Sequence, residues 1–235
     1  MPAVKERTGL TGNQLKLIAM VTMTLDHVGL MLLPQYPILR ILGRLAFPIY
    51  AYMIAEGCTY THNKRNYLLR MLTLGLLCQV AYFGAMGSLY QCILITFSLS
   101  AALIWTLEWG EAQENRVMGI LGVTGAFLGA WFLCCTLPRL LPGTDYGIDY
   151  GFFGVCLPVL IWIGRNRGEK LALLTLGLVL VAAEFAGNQW YALLTVPLLA
   201  LYNGERGKYA IGRLFYIYYP VHLVVIYGIG MLLSR

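Results

Sequence analysis

The sequence predicts an all-α fold, a polytopic bundle of helices within a membrane. Three observations carry that expectation. Of the 235 residues, 59% are hydrophobic and only 12% are Asp, Glu, Lys or Arg, about half the charge a soluble domain carries. The mean hydropathy is +0.68, which leaves too little polar surface to cover a water-facing globule. The apolar residues also gather into runs close to the roughly 20 residues that a helix rising about 1.5 Å per residue needs to cross a hydrocarbon core of about 30 Å.

About nine such runs can be placed, at 15–33, 38–57, 67–86, 91–109, 117–137, 151–164, 170–186, 189–202 and 214–233. The first follows a basic start and has no small-residue cleavage site, so it reads as an uncleaved span. The second holds Gly43, Arg44 and Pro48, and the ninth holds Pro220. Both are expected to be kinked. The sixth and eighth are short, and read as tilted, kinked or partly re-entrant. The length leaves no room for a separate soluble domain, and no fixed repeat appears, so residues 1–235 read as one transmembrane domain. The cysteines at 58, 78, 92, 134, 135 and 156 form no Cys-x-x-Cys pair and read as small packing residues.

Lys and Arg predict the orientation. Lys5, Arg7 and Lys16 precede or open the first run. Lys64, Arg65, Arg70, Arg116, Arg165, Arg167, Lys170, Arg206, Lys208 and Arg213 fall on the same side if nine spans alternate. The other side keeps Arg139, Arg40 near a span end, and Arg235. The positive-inside rule then places the N-terminus in the cytoplasm and the C-terminus outside the cell membrane. The net charge of +6 suits loops beside anionic lipid. No basic-aromatic stripe points to nucleic acid. Lipid-facing and partner-facing apolar surfaces share a composition, so the oligomeric state stays open.

Against this background, "LKLIAMVTMTLDHVGLMLL" (15–33) raises the functional question, because it sets Asp26 and His27 side by side in a lipid-soluble run. Arg44 and His222 are likewise well inside spans. Such residues are expensive in hydrocarbon unless paired or facing a cavity, and they default to a functional hypothesis. Rise per residue puts His27 about 18 Å up the first span, Arg44 about 9 Å down the second and His222 about 12 Å up the ninth. All three depths fall in the middle third, so convergence on one cavity is expected. The plainer alternative is two proline kinks and an arginine paired with Asp26 for insertion.

Lys64, Arg65 and Arg70 are candidates for the phosphates of a cytoplasmic cofactor, and serve equally as topology signals. His62 reads as a solvated loop residue. Glu56, near the cytoplasmic end of the second span, Asp149, at the outer start of the sixth, and Tyr219, beside Pro220, read as acceptor-contacting or structural. For Asp149 a helix cap or an outer vestibule is expected. Three histidines without close Cys, Asp or Glu spacing make a poor metal site, and no metal is expected.

At "LKLIAMVTMTLDHVGL", "LGRLAFPIYAYMIAEGCTYTHNKRNYLLR", "DYGFFGV" and "FYIYYPVHL" the chain resembles the TraX family, the conjugation-associated pilin acetylases, which belong with the polytopic membrane acyltransferases. The segments occur in that order and span nearly the whole chain, with residues 87–145 matching less clearly. The resemblance implies acetyl transfer from acetyl-CoA, with the donor entering from the cytoplasm. In the broader group a membrane-embedded histidine on an early span acts as base, and His27 occupies the matching position. It also implies a peptide or glycan acceptor.

The chemistry suits the residues. An acceptor amine or hydroxyl must lose a proton, which a neutral imidazole takes near pH 7. His27 is therefore read as general base. Arg44 is read as stabilising developing negative charge, or gripping a CoA phosphate or the acceptor's carboxylate. Asp26 diverges from His27 by about 100° on a helix, and reads as the partner of Arg44. His222 reads as a second base or a positioner. The competing expectation is a proton-coupled transporter using Asp26, His27 and Arg44 as a relay. Many transporters show two related halves, whereas no second Asp-His element occurs here. A scaffold would leave the buried charges unexplained.

Overall fold

The computed structural model describes residues 8–208 and 212–233. Lys5, Arg7 and Arg235, used above for orientation, lie outside them. Among the described residues the chain is helical, with two isolated backbone bridges and no strand. In order, α1 is Gly12–Met31, α2 Pro37–Gly43, α3 Ala46–Tyr60, α4 Lys64–Met86, α5 Ile93–Glu111 and α6 Arg116–Trp131. A π-helical turn, Phe132–Thr136, then leads into α7, Leu137–Leu140. Next come α8 Gly151–Ile163, α9 Arg167–Phe185, a 3₁₀ segment Gly187–Leu194, α10 Thr195–Leu199 and α11 Gly212–Leu233.

Each of the nine expected runs is thus helical, with two departures in detail. The second run is two helices. Pro48 falls in the first turn of α3, where its missing N–H has no intrahelical partner to lose. The break lies at Arg44 and Leu45, whose amides donate to Ile41 and Leu42 carbonyls at 3.2 Å each. The eighth run begins as 3₁₀ and continues as α10, which together reach roughly 23 Å. Pro220, by contrast, lies within a continuous α11.

Among the described residues, four helical stretches are long and apolar enough to cross a membrane, namely Pro37–Tyr60, Lys64–Met86, Ile93–Glu111 and Arg116–Leu140. Gly151–Ile163 and the Ile217–Leu233 part of α11 are shorter apolar helices. Leu77, Val80, Val117, Ile120, Leu121 and Leu128 expose their side chains. That is the outward surface hydrocarbon requires and water opposes. The protein is a multi-pass helical membrane bundle.

The chain forms two compact units, Met1–Met53 with Ala186–Arg235, and Ile54–Phe185. In the second, α5 packs against α4, α6 and α8, and α8 packs against α9. Ser100 donates to the Val155 carbonyl at 2.7 Å and Thr96 to that of Asp149 at 2.8 Å. Such interhelical hydrogen bonds hold helices where lipid supplies no hydrophobic drive. Gly119 lies so close to the Gly110 carbonyl that a Cβ would collide with it. In the loop before α8, Asp145 accepts from Ser88 Oγ at 2.6 Å and the Leu89 amide at 2.8 Å. These bonds hold its carboxyl below the usual carboxylate range.

In the first unit, α1 packs on α2 and α11, and α2 on the 3₁₀ segment. Thr11 and Gln14 form a capping box at the start of α1. The adjoining backbone is sewn to residues 201–206 by Leu10 N to Leu201 O, Asn203 N to Leu10 O and Gly12 N to Glu205 O, at 2.8–2.9 Å. Ala186, just before the 3₁₀ segment, has φ 53° and ψ −162°, a region nearly confined to glycine and costing about 1–3 kcal/mol. Ala186→Gly is expected to stabilise the detergent-solubilised protein by about 1 kcal/mol once glycine's unfolded-chain entropy is deducted. An unchanged or lower thermal midpoint would contradict that strain.

Candidate functional site

The site is built in the first unit around the α1 residues Asp26 and His27, which face different neighbours as their angular separation requires. Asp26 turns to α2. Its Oδ1 accepts from Arg44 Nη2 at 2.5 Å and its Oδ2 from Arg40 Nη1 at 2.6 Å. The side chains are 15% exposed for Asp26, 13% for Arg44 and 28% for Arg40. Arg44 Nε also donates to the Arg40 carbonyl at 3.3 Å, and its Nη1 to Gln189 Oε1 at 3.1 Å. Two guanidiniums and one carboxylate leave this cluster with a charge of +1, counting +2 and −1.

Gly43 makes the approach possible, because a Cβ there would meet Asp26 Cβ, Cγ and Oδ1. Two guanidiniums pin that carboxylate, so it has little freedom to yield. Gly43→Ala is therefore expected to destabilise by about 1–3 kcal/mol, as overpacking does. Thermal unfolding in detergent reads this, and an unaltered midpoint would show that α2 can slide away.

His27 turns to α11. Its Nδ1 lies 2.9 Å from the Met23 carbonyl and 3.4 Å from His222 Nε2. The rings meet edge-on with centroids 5.0 Å apart. His222 Nδ1 lies 3.0 Å from the Tyr218 carbonyl. A carbonyl only accepts, so in the neutral rings both Nδ1 atoms carry the proton. His222 Nε2 then accepts a long, weak share of the His27 N–H, and His27 Nε2 keeps its lone pair. That is the tautomer a general base needs.

Tyr218 and Thr24 fix this pairing. Tyr218 stacks on His222 with centroids 5.1 Å apart and planes 3° from parallel. Its hydroxyl meets Thr24 Oγ1 at 2.5 Å. Thr24 donates to the Met20 carbonyl at 2.9 Å, so Tyr218 is the donor to Thr24. Tyr219 presents its ring edgewise to His222 at 5.7 Å.

The fold brings together Asp26, His27, Arg44, His222 and Tyr219. The other sequence candidates lie in the second unit. Glu56 is buried and pairs with Lys170 Nζ at 2.6 Å, tying α3 to α9. Lys64 pairs with Glu108, Arg65 and Arg70 are exposed on α4, and His62 is exposed in the preceding turn. Asp149 does not cap α8. Tyr150, at φ 60°, holds that position, and the Asp149 carboxylate accepts from Tyr90 OH at 3.0 Å. The cap expectation fails because the left-handed Tyr150 takes the helix entry one residue later.

Sequence reasoning missed Arg40 and Gln189. From the sequence Arg40 reads as a span-end residue, although its place four residues before Arg44, on the same helical face, is a usable signal. Gln189, at the edge of a short apolar run, gave no comparable signal.

A family profile described as "TraX protein" matches residues 11–230. The chain is 28% identical to "Probable fimbrial assembly protein FimC, serogroup H1" of Dichelobacter nodosus, over 94% of this chain and 96% of that one. It is 27% identical to "Protein TraX" of Escherichia coli, over 90% of this chain and 84% of the relative. No solved structure matches it. The profile match takes in α1, α2, the 3₁₀ segment and nearly all of α11, and so every residue of the histidine pair and the ion cluster; the chain belongs to the TraX protein family.

Proposed function

We propose that the protein is a membrane-embedded acetyltransferase. It moves an acetyl group from cytoplasmic acetyl-CoA to a peptide amino terminus of the pilin kind or to a glycan hydroxyl. The observation that carries this reading is the histidine pair, which leaves His27 Nε2 as a hydrogen-bond acceptor one residue from a net-positive ion cluster. The fimbrial name of the Dichelobacter relative favours an exported surface peptide as acceptor.

In this mechanism the acceptor's nitrogen or oxygen bonds to the thioester carbonyl carbon as its proton passes to His27 Nε2. The carbonyl electron pair moves onto oxygen beside the positive cluster. Collapse reforms the carbonyl and breaks the C–S bond, and the imidazolium proton leaves with the CoA sulfur. His222 acts as positioner, orienting His27 through its Nδ1–H. Lys64, Arg65 and Arg70, in the second unit, serve as topology signals. Glu56 and Asp149 act structurally, and Tyr219 packs the positioner. The N-terminus lies in the cytoplasm and the C-terminus outside, in a cell membrane.

Radiolabelled acetyl-CoA given to inverted membrane vesicles tests the reading, alongside mass spectrometry of exported peptides and glycans from cells with and without the protein. Protein-dependent acetylation of a membrane or secreted acceptor is expected. Gradient-driven solute uptake with no label transferred would favour a proton-coupled transporter instead.

A further inference from the structure

The ion cluster contains a buried group that the steps above do not use. Gln189 is 5% exposed on the 3₁₀ segment. A guanidinium can only donate, so the contact from Arg44 Nη1 at 3.1 Å fixes Oε1 as the facing atom. The amide nitrogen, Nε2, is buried and has no acceptor among the described residues. A buried donor left unmatched destabilises the resting protein. Its side chain is held to Arg44, Arg44 to Asp26, and Asp26 adjoins His27 in the chain. The unmatched donor and the net-positive cluster therefore form one hydrogen-bonded set, one residue along α1 from the base.

A neutral donor backed by a charge of +1 suits an oxygen that is uncharged at rest and becomes negative during reaction. On the acetyl-transfer reading above, the thioester carbonyl oxygen has that character. We infer that Gln189 Nε2 donates to the carbonyl oxygen of the bound acetyl thioester and, with the Arg40–Asp26–Arg44 cluster behind it, holds the oxyanion formed when the acceptor adds. The acceptor's lone pair makes the new bond to carbon, the π pair becomes the third lone pair on oxygen, and the acceptor's proton goes to His27. Gln189 gains and loses no proton. Its N–H···O bond strengthens as the charge develops, which is how a preorganised donor lowers a barrier.

Gln189→Glu is the informative substitution. It keeps an oxygen for Arg44, so the cluster stays tied, and replaces the donor with an anion. Gln189→Met removes both groups at similar size. Each is assayed by CoA thiol release in inverted vesicles over a range of acetyl-CoA concentrations. A fall in kcat of about 10²–10³-fold is expected for Gln189→Glu, with KM for acetyl-CoA nearly unchanged, the pattern of an interaction made only in the transition state. Wild-type kcat in folded Gln189→Glu, or a change in KM alone, overturns the inference. If wild-type vesicles transfer no acetyl group, the functional reading itself fails, and this inference with it.

A second measurement needs neither Gln189 variant to fold on its own. The infrared carbonyl band of 13C-carbonyl acetyl-CoA is recorded on the His27→Ala protein, where the thioester stays uncleaved. The band is expected below its frequency in solution. A bound thioester with an unshifted carbonyl rules the contact out.

Discussion

On the proposed mechanism, His27→Ala is expected to lower acetyl transfer from acetyl-CoA by about 10²–10⁴-fold, the range that a positioned general base contributes. The size of the loss follows from the hydrogen bonds around the pair. His222 carries the same tautomer but does not take over, because Tyr218 stacking holds its ring with Nε2 turned toward residue 27 rather than toward the acceptor. Its Nε2 faces the place where the His27 ring was, so its lone pair opens into a cavity left by the deletion. His222→Ala is milder. The His27 N–H keeps the Met23 carbonyl at 2.9 Å and so keeps its tautomer, losing only the long contact. Thiol release in vesicles measures both variants, with size-exclusion profiles in detergent confirming that each is folded. Wild-type activity in well-folded His27→Ala would end the assignment of the base.

Asp26→Ala is expected to destabilise the protein by about 3–5 kcal/mol, as breaking a mostly buried ion pair from one side does. The penalty arises less from the lost attraction than from what remains. Arg40 and Arg44 would be held four residues apart on one helical turn, largely out of water, with no carboxylate between them. A charge of +1 becomes +2. Two further variants separate charge from shape. Asp26→Asn keeps an oxygen for one arginine and should lose less. Adding Arg40→Met to Asp26→Ala removes one orphaned charge and should restore part of the midpoint. Unfolding in detergent titrated with a denaturing surfactant gives all three values. Equal stability of Asp26→Ala and wild type would mean that lipid headgroups or water already satisfy both arginines.

Much of the architecture was legible in the residues because a membrane imposes few choices. Every backbone polar group must be satisfied within the chain, so apolar runs become helices. The nine runs are where the helices lie. The details that escaped depend on local backbone competition. Pro48 could kink a helix or begin one, and which occurs depends on what Arg44 and its neighbours bond to. The eighth run has a helical composition, but after the turn at Ala186 and Gly187 its first part is 3₁₀ and only Thr195–Leu199 is α-helical. The partnership of Asp26 with Arg44 was readable, since two opposite charges at similar depth in neighbouring spans have few other solutions. The second arginine and the glutamine were not, because a residue near the end of a run also has the option of water.

From the sequence alone came the need for partners: carboxylate, guanidinium and imidazoles at mid-membrane depth follow from a fixed rise of about 1.5 Å per residue. Only the tertiary structure decided which partners they take. That choice depends on the azimuth of each side chain and on which helices adjoin, and residue 27 meets residue 222 through packing between segments far apart in the chain. No periodicity within either run encodes that meeting. It comes from the way α1 turns one face to α2 and the next to α11.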